Sequence, residues 1–149
     1  MANDAASQSE TEIRAILDDR VEALRSRDAH RFLKHYQIGF STFELGPPLE
    51  YLNGDPMDTA GLDEWFASFE GELSYRMRDL RITADESVAF AHSLYHIAGT
   101  KTDGGLVDMW TRQTICFAKV GNDWKITHAH TSVPMSMDQD HRAVIDLKP

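Results

Sequence analysis

A single cysteine, Cys116, stands in 149 residues, so no disulfide can close within the chain and the fold has to be held by packing. Its neighbours Ile115 and Phe117 give it the setting of a small buried hydrophobe rather than that of a nucleophilic thiol. Basic clusters are missing too. Lys and Arg number 15 against 24 Asp and Glu, a formal net charge of -9 that repels phosphate backbones and anionic lipid. Nucleic acid and membrane partners are therefore not expected. No stretch approaches the roughly 20 apolar residues of a membrane span, and the opening MANDAASQSETE has neither the basic start nor the apolar run of an export signal. A soluble, cytoplasmic chain is expected, without internal repeats, low-complexity segments or interdomain linkers.

What is present is a 42% hydrophobic complement in a length that suits one domain. Ile13, Ile16, Leu17, Val21 and Leu24 recur at helical spacing, which predicts an amphipathic helix over about residues 8–26. Arg20 falls in the middle of that apolar stripe, either as a snorkelling side chain or as a cation aimed into a cavity. Asp28 is placed to cap a second helix bearing Ala29, Phe32, Leu33 and Tyr36. IGFSTFEL, residues 38–45, alternates as a strand, and GPPLEYLNGDP reads as a loop. Asp58 or Thr59 opens a third helix that carries Leu62, Trp65, Phe66 and Phe69 and stops near Gly71. From Tyr75 onward YRMRDLRI, SVAFAHSLYHIAG, LVDMWTRQTICFAKV and WKITHAHTSVPM, divided by short turns, predict an antiparallel meander. The expected fold is α+β, with residues 1–10 disordered or frayed, one domain over 11–137 and a tail over 138–149.

Alternation sorts Trp110, Arg112, Thr114 and Cys116 to one face of a strand and Thr111, Gln113, Ile115 and Phe117 to the other. Both faces are partly apolar, so a second subunit is expected on the face that the helices leave free. His92, His96, His128 and His130 fall on one side of the meander if no bulge intervenes. Their spacing carries no zinc-ligand signature, so no metal is expected and hydrogen-bonded structural histidines are the plainer reading.

The order helix, helix, strand, helix, meander, with the ending DMWTRQTICFAKVGNDWKITHAHTSVP, resembles the SnoaL-like, ketosteroid-isomerase-related branch of the nuclear transport factor 2-like superfamily from Ile13 to Met137. The resemblance implies a cone-shaped α+β barrel in which a curved antiparallel sheet wraps around the N-terminal helices. It also implies a pocket between the concave sheet face and the helices, and a homodimer through the outer face. Thr131, Ala129 and Thr127 are placed toward that pocket with Thr114, Arg112 and Trp110 beside them, while His128 and His130 turn outward. Ketosteroid isomerases remove a proton beside a carbonyl with a carboxylate base, as a Tyr and a protonated Asp donate to the enolate oxygen. By resemblance the base position falls on Glu44, the tyrosine's on Arg20 and the aspartate's on or near Thr114. One of the three keeps its residue type.

Two arginines, Arg20 and Arg112, in one apolar cavity point to an anionic or strongly polar ligand, or to pairing with Glu44, because unpaired buried charge is costly. The expected function is binding of a small polar or anionic organic molecule, with no cofactor. Around the two arginines the expected lining is Tyr36, Trp65, Tyr95 and Trp110, each with a plain core role as the alternative, together with Thr114 and Thr131. Two other readings compete. One is an isomerase, cyclase or dehydratase with Glu44 as base and Arg20 or Arg112 as oxyanion donor. The other is a non-catalytic dimeric accessory module with a vestigial pocket.

Overall fold

Helix α1 (Ala2–Arg25) buries Ile13, Leu17, Arg20, Ala23 and Leu24 along one stripe, the 3.6-residue pattern that the sequence carries. The structure, a computed structural model, describes residues 2–138 and 140–149, with side chains from residue 4 onward. The helix thus begins well before residue 8, and the segment expected to be frayed supplies its first turns, with Ser9 already buried. Asp28 caps α2 (Ala29–Leu33), its Oδ1 accepting from the Arg31 backbone N–H at 3.0 Å.

Strand β1 (Tyr36–Phe43) follows, and part of the expected loop pairs with it as β2 (Tyr51–Gly54). A Cβ on Gly54 would lie 2.5 Å from the Phe40 ring, so this close pairing needs a glycine. Next come α3 (Ala60–Ala67), β3 (Phe69–Ala84), β4 (Val88–Lys101), β5 (Leu106–Val120) and β6 (Asp123–Ser132). α3 ends before the expected stop near Gly71 because Phe69 and Leu73 already alternate into the core as strand residues. Beyond β6, Met135 and Ala143 form an antiparallel bridge, so the expected tail turns back on the end of the domain.

The six strands form one sheet in the order β2-β1-β6-β5-β4-β3. β3 to β6 are the expected antiparallel meander, but β1 lies parallel to β6, so the sheet is mixed rather than antiparallel throughout. It is curved and does not close on itself. Tyr75, Tyr95, Ile97, Ile115 and Phe117 face inward with Trp124, Ile126 and Ala129. Ile126 and Ala129 are an odd number of residues apart, and a bulge reconciles them. Cys116 pairs with His128 while Phe117 pairs with Ile126, which leaves Thr127 as the extra residue. His128 and His130 then lie on the outer face with His92 and His96. Cys116 shares that outer face and is half-buried rather than part of the core. No helix among the described residues is long and apolar enough to cross a membrane.

Candidate functional site

Arg20 is 4% exposed in the core stripe of α1. Its Nε donates to Tyr36 Oη at 3.0 Å, its Nη1 donates to Gln113 Oε1 at 3.4 Å, and its guanidinium lies 4.5 Å above the Phe32 ring centroid. Gln113 Nε2 in turn donates to Tyr75 Oη at 2.8 Å. The amide has to sit this way round, because its oxygen faces a cation. Tyr75 stacks on Tyr95 with centroids 5.2 Å apart, and the buried Tyr95 hydroxyl has no hydrogen-bond partner. α2 hands the chain to β1 at Tyr36, while the inward phase of β3, β4 and β5, set by Leu73, Ile97 and Ile115, delivers Tyr75, Tyr95 and Gln113.

Burial opposes the charge of Arg20, but the fields of Tyr36, Tyr75 and Tyr95 and the bond to Tyr36 raise its pKa above the ordinary value. It is a cation at every working pH. Burial likewise pushes the Tyr36 and Tyr75 phenols up, so both remain protonated donors at neutral pH. Arg20 hydrogen-bonds to no carboxylate among the described residues; its partners are neutral. A buried, permanent, uncompensated cation ringed by phenols can hold an anion or stabilise a developing oxyanion.

Of the residues singled out in the sequence, Arg20, Tyr36 and Tyr95 come together, and the half-buried Thr131 lies opposite Gln113 on the same inner face. Trp110, Arg112 and Thr114 do not join them. Ile115 and Phe117 claim the core side of β5, which turns those three outward; the exposed Arg112 donates to Ser132 Oγ at 3.1 Å, and Trp110 packs between Arg76 and His96. Arg112 therefore does not join Arg20 as a second cation, and Gln113 stands where Arg112 was expected. Trp65 packs on Phe66 and Phe69 under Lys101, in the core role given as its alternative. Glu44 lies exposed just beyond β1, on a cleft of about 690 Å³ shared with Phe43, Leu45 and His130, and the expected ion pair with Arg20 does not form. Its charge is nonetheless felt at Tyr36.

Sequence reasoning passed over Tyr75 and Gln113. Each carried a signal: Tyr75 alternates with Arg76 and Arg78 on the wet side, and Gln113 is the amide on the strand face bearing Ile115 and Phe117. Among the described residues no three His, Cys, Asp or Glu side chains are grouped as metal ligands.

No curated protein matches the chain. Among solved structures, an NTF2-like protein of unknown function from Pseudomonas putida KT2440 is 24% identical, with 97% of this chain and 99% of that one covered and a TM-score of 0.84. A candidate scytalone dehydratase from Novosphingobium aromaticivorans DSM 12444 is 15% identical over 99% of this chain and 98% of its own, with a TM-score of 0.78. The association domain of C. elegans CaMKII is 14% identical, covering 87% of this chain and 99% of its own at a TM-score of 0.65. Identities this low show the fold and no more. The sequence itself matches the SnoaL-like domain over residues 13–136, nearly the whole of the folded region. The chain belongs to the SnoaL-like domain family and has the NTF2-like fold.

Proposed function

We propose that the chain binds a small polar or anionic organic molecule between α1 and the inner face of the sheet, with Arg20 as its anchor. One observation carries this reading: an arginine only 4% exposed that meets neutral partners alone. Desolvating a guanidinium costs several kcal/mol, and a fold that keeps one without a carboxylate has a receptor for negative charge. The test is a thermal-shift screen of small aromatic and aliphatic carboxylates against neutral ketones. A ligand at about 100 times its Kd adds about 2.7 kcal/mol. Carboxylate-selective shifts that vanish in Arg20→Met support the anchor; equal shifts from ketones in both proteins overturn it.

A catalytic reading, an isomerase, cyclase or dehydratase with Glu44 as base and Arg20 as oxyanion donor, is favoured by the reach of the Glu44 charge to Tyr36 and by the dehydratase name of one fold neighbour. Turnover unaffected by Glu44→Gln would remove the base from it. The outer sheet face, where Val88 is 56% and Phe90 45% exposed beside Leu94 and Trp110, is the surface for a homodimer. Light scattering that returns 16.9 kDa at every concentration rules that pairing out.

A further inference from the structure

We infer that the head group taken by this site is a monocarboxylate, and that Tyr95 is the specificity-determining donor that selects it; the inference rests on the Arg20-centred binding reading above. The argument is a count of hydrogen-bonding capacity. A guanidinium only donates. Gln113 has its oxygen engaged by Arg20 and its amide nitrogen by Tyr75. The Tyr36 oxygen already accepts from Arg20 and the Tyr75 oxygen from Gln113, so each phenol has its O–H left to give. Tyr95 is 1% exposed and its hydroxyl makes no hydrogen bond. An orphaned buried hydroxyl is rare in a folded protein and brings the ligand-free state nothing.

A guanidinium and three phenolic O–H groups thus share one buried cluster in which the Tyr95 oxygen is the one named acceptor with no donor on it. A group entering it has to accept in several directions. Primary amides, amidines and ammonium groups bring two or more N–H donors, more than that one oxygen can take, and the last two add a second positive charge. A ketone oxygen accepts but leaves the cation uncompensated. A phosphonate or phosphate monoester carries close to two charges against one arginine. A carboxylate has about four lone-pair sites on two oxygens and one charge, which matches one guanidinium and the free phenols.

The experiment measures Kd by calorimetry for butyrate and benzoate, with the amide, methyl ketone and phosphonate of each carbon skeleton, on the full-length protein and on Tyr95→Phe and Arg20→Met. The expected result has carboxylates tightest on the unmodified protein. Tyr95→Phe should weaken the carboxylates by about ten-fold or more, the loss of one hydrogen bond to a charged group. Its ligand-free Tm should stay level or rise, a result that a structural hydroxyl would not give. Arg20→Met should bring carboxylates down to the level of the matched ketones. Amides or phosphonates binding as tightly as carboxylates would overturn the head-group assignment while leaving the Arg20-centred reading standing. A Tyr95→Phe protein that fails to fold, or melts well below the parent, overturns the role of Tyr95; the ligand series on the unmodified protein then decides the head group alone. No binding by any compound removes the inference and the binding reading together.

Discussion

Replacing Arg20 by Met in the ligand-free protein separates a structural cation from one held for a ligand. A buried guanidinium carries a desolvation penalty of several kcal/mol. Against it stand the bond to Tyr36 at 3.0 Å, worth about 2 kcal/mol, and a longer bond to Gln113 at 3.4 Å, worth roughly half that. The stack on Phe32 at 4.5 Å adds about 2 kcal/mol once desolvated. The two sides come close to cancelling. Met keeps an unbranched, flexible stem that can fill the space left by the guanidinium, and the two acceptors that lose their donor can turn toward each other or to water. The expected change in unfolding free energy by urea titration is therefore within about 1.5 kcal/mol of zero, of either sign. Had Arg20 been the paired centre of a structural network, its removal would cost about 3–5 kcal/mol, or a fall in Tm of about 6 °C or more for a chain of this size. A loss that large with an unchanged slope against urea would refute the claim that the cation is uncompensated, and with it the main support for a ligand at this site.

Three further outcomes are expected. Burial works against the Asp19 carboxylate, but hydrogen bonds from His35 and Arg31 and the charge of Lys34 outweigh it and hold its pKa at about 2. That stability is present above the unfolded value near 3.9 and is lost as pH falls through about 2, so the parent should lose on the order of 1 kcal/mol, after allowing for solvent screening, that Asp19→Asn does not lose. Equal acid sensitivity in chemical denaturation of the two proteins would count against the assignment. Deleting Thr127 only removes the bulge, since Ile126 and His128 then follow each other opposite Phe117 and Cys116 and Ala129 and Thr131 stay inward, so it should cost no more than about 2 kcal/mol. Deleting Thr127 and His128 together turns Ala129 and Thr131 outward and should cost more than about 3 kcal/mol, both read by urea titration. Arg112→Ala, on the outer face, should leave carboxylate-induced thermal shifts unchanged and alter stability by no more than about 0.5 kcal/mol; lost shifts would return Arg112 to the site.

The helices were legible because a 3.6-residue stripe needs only its own residues to declare itself, and Arg20 declared itself by interrupting one. The Asp28 cap was equally local. The phase of β5 was not, since its two faces offer comparable apolar weight, Trp110 and Cys116 against Ile115 and Phe117. What decides between them lies elsewhere in the chain: Arg76 and His96 cover Trp110 outside, while Phe117 joins the core cluster that also holds Ile13 and Leu17. The same non-locality hid β2, which exists because Gly54 lets Phe40 pack close, and the parallel pairing of β1 with β6, whose residues are more than eighty positions apart along the chain.

Thr127 ties these points to function. With strict alternation, the burial of Trp124 and Ile126 would commit His128 and His130 to the interior, and continuing the pairing from Phe117 with Ile126 would bring His130 opposite Gln113. Two imidazoles would then stand beside Arg20, each able to gain a proton on mild acidification or to donate to whatever the site holds. One extra residue lets the first half of β6 anchor the core while the second half presents Ala129 and Thr131 to the site and sends both histidines outside. Among the described residues the interior is left with one permanent charge, Arg20, among neutral phenols. An anchor of that kind keeps its charge from mildly acidic to strongly alkaline pH, so the acid limit of carboxylate binding should be set by protonation of the ligand, near pH 4 to 5, and not by a group of the protein.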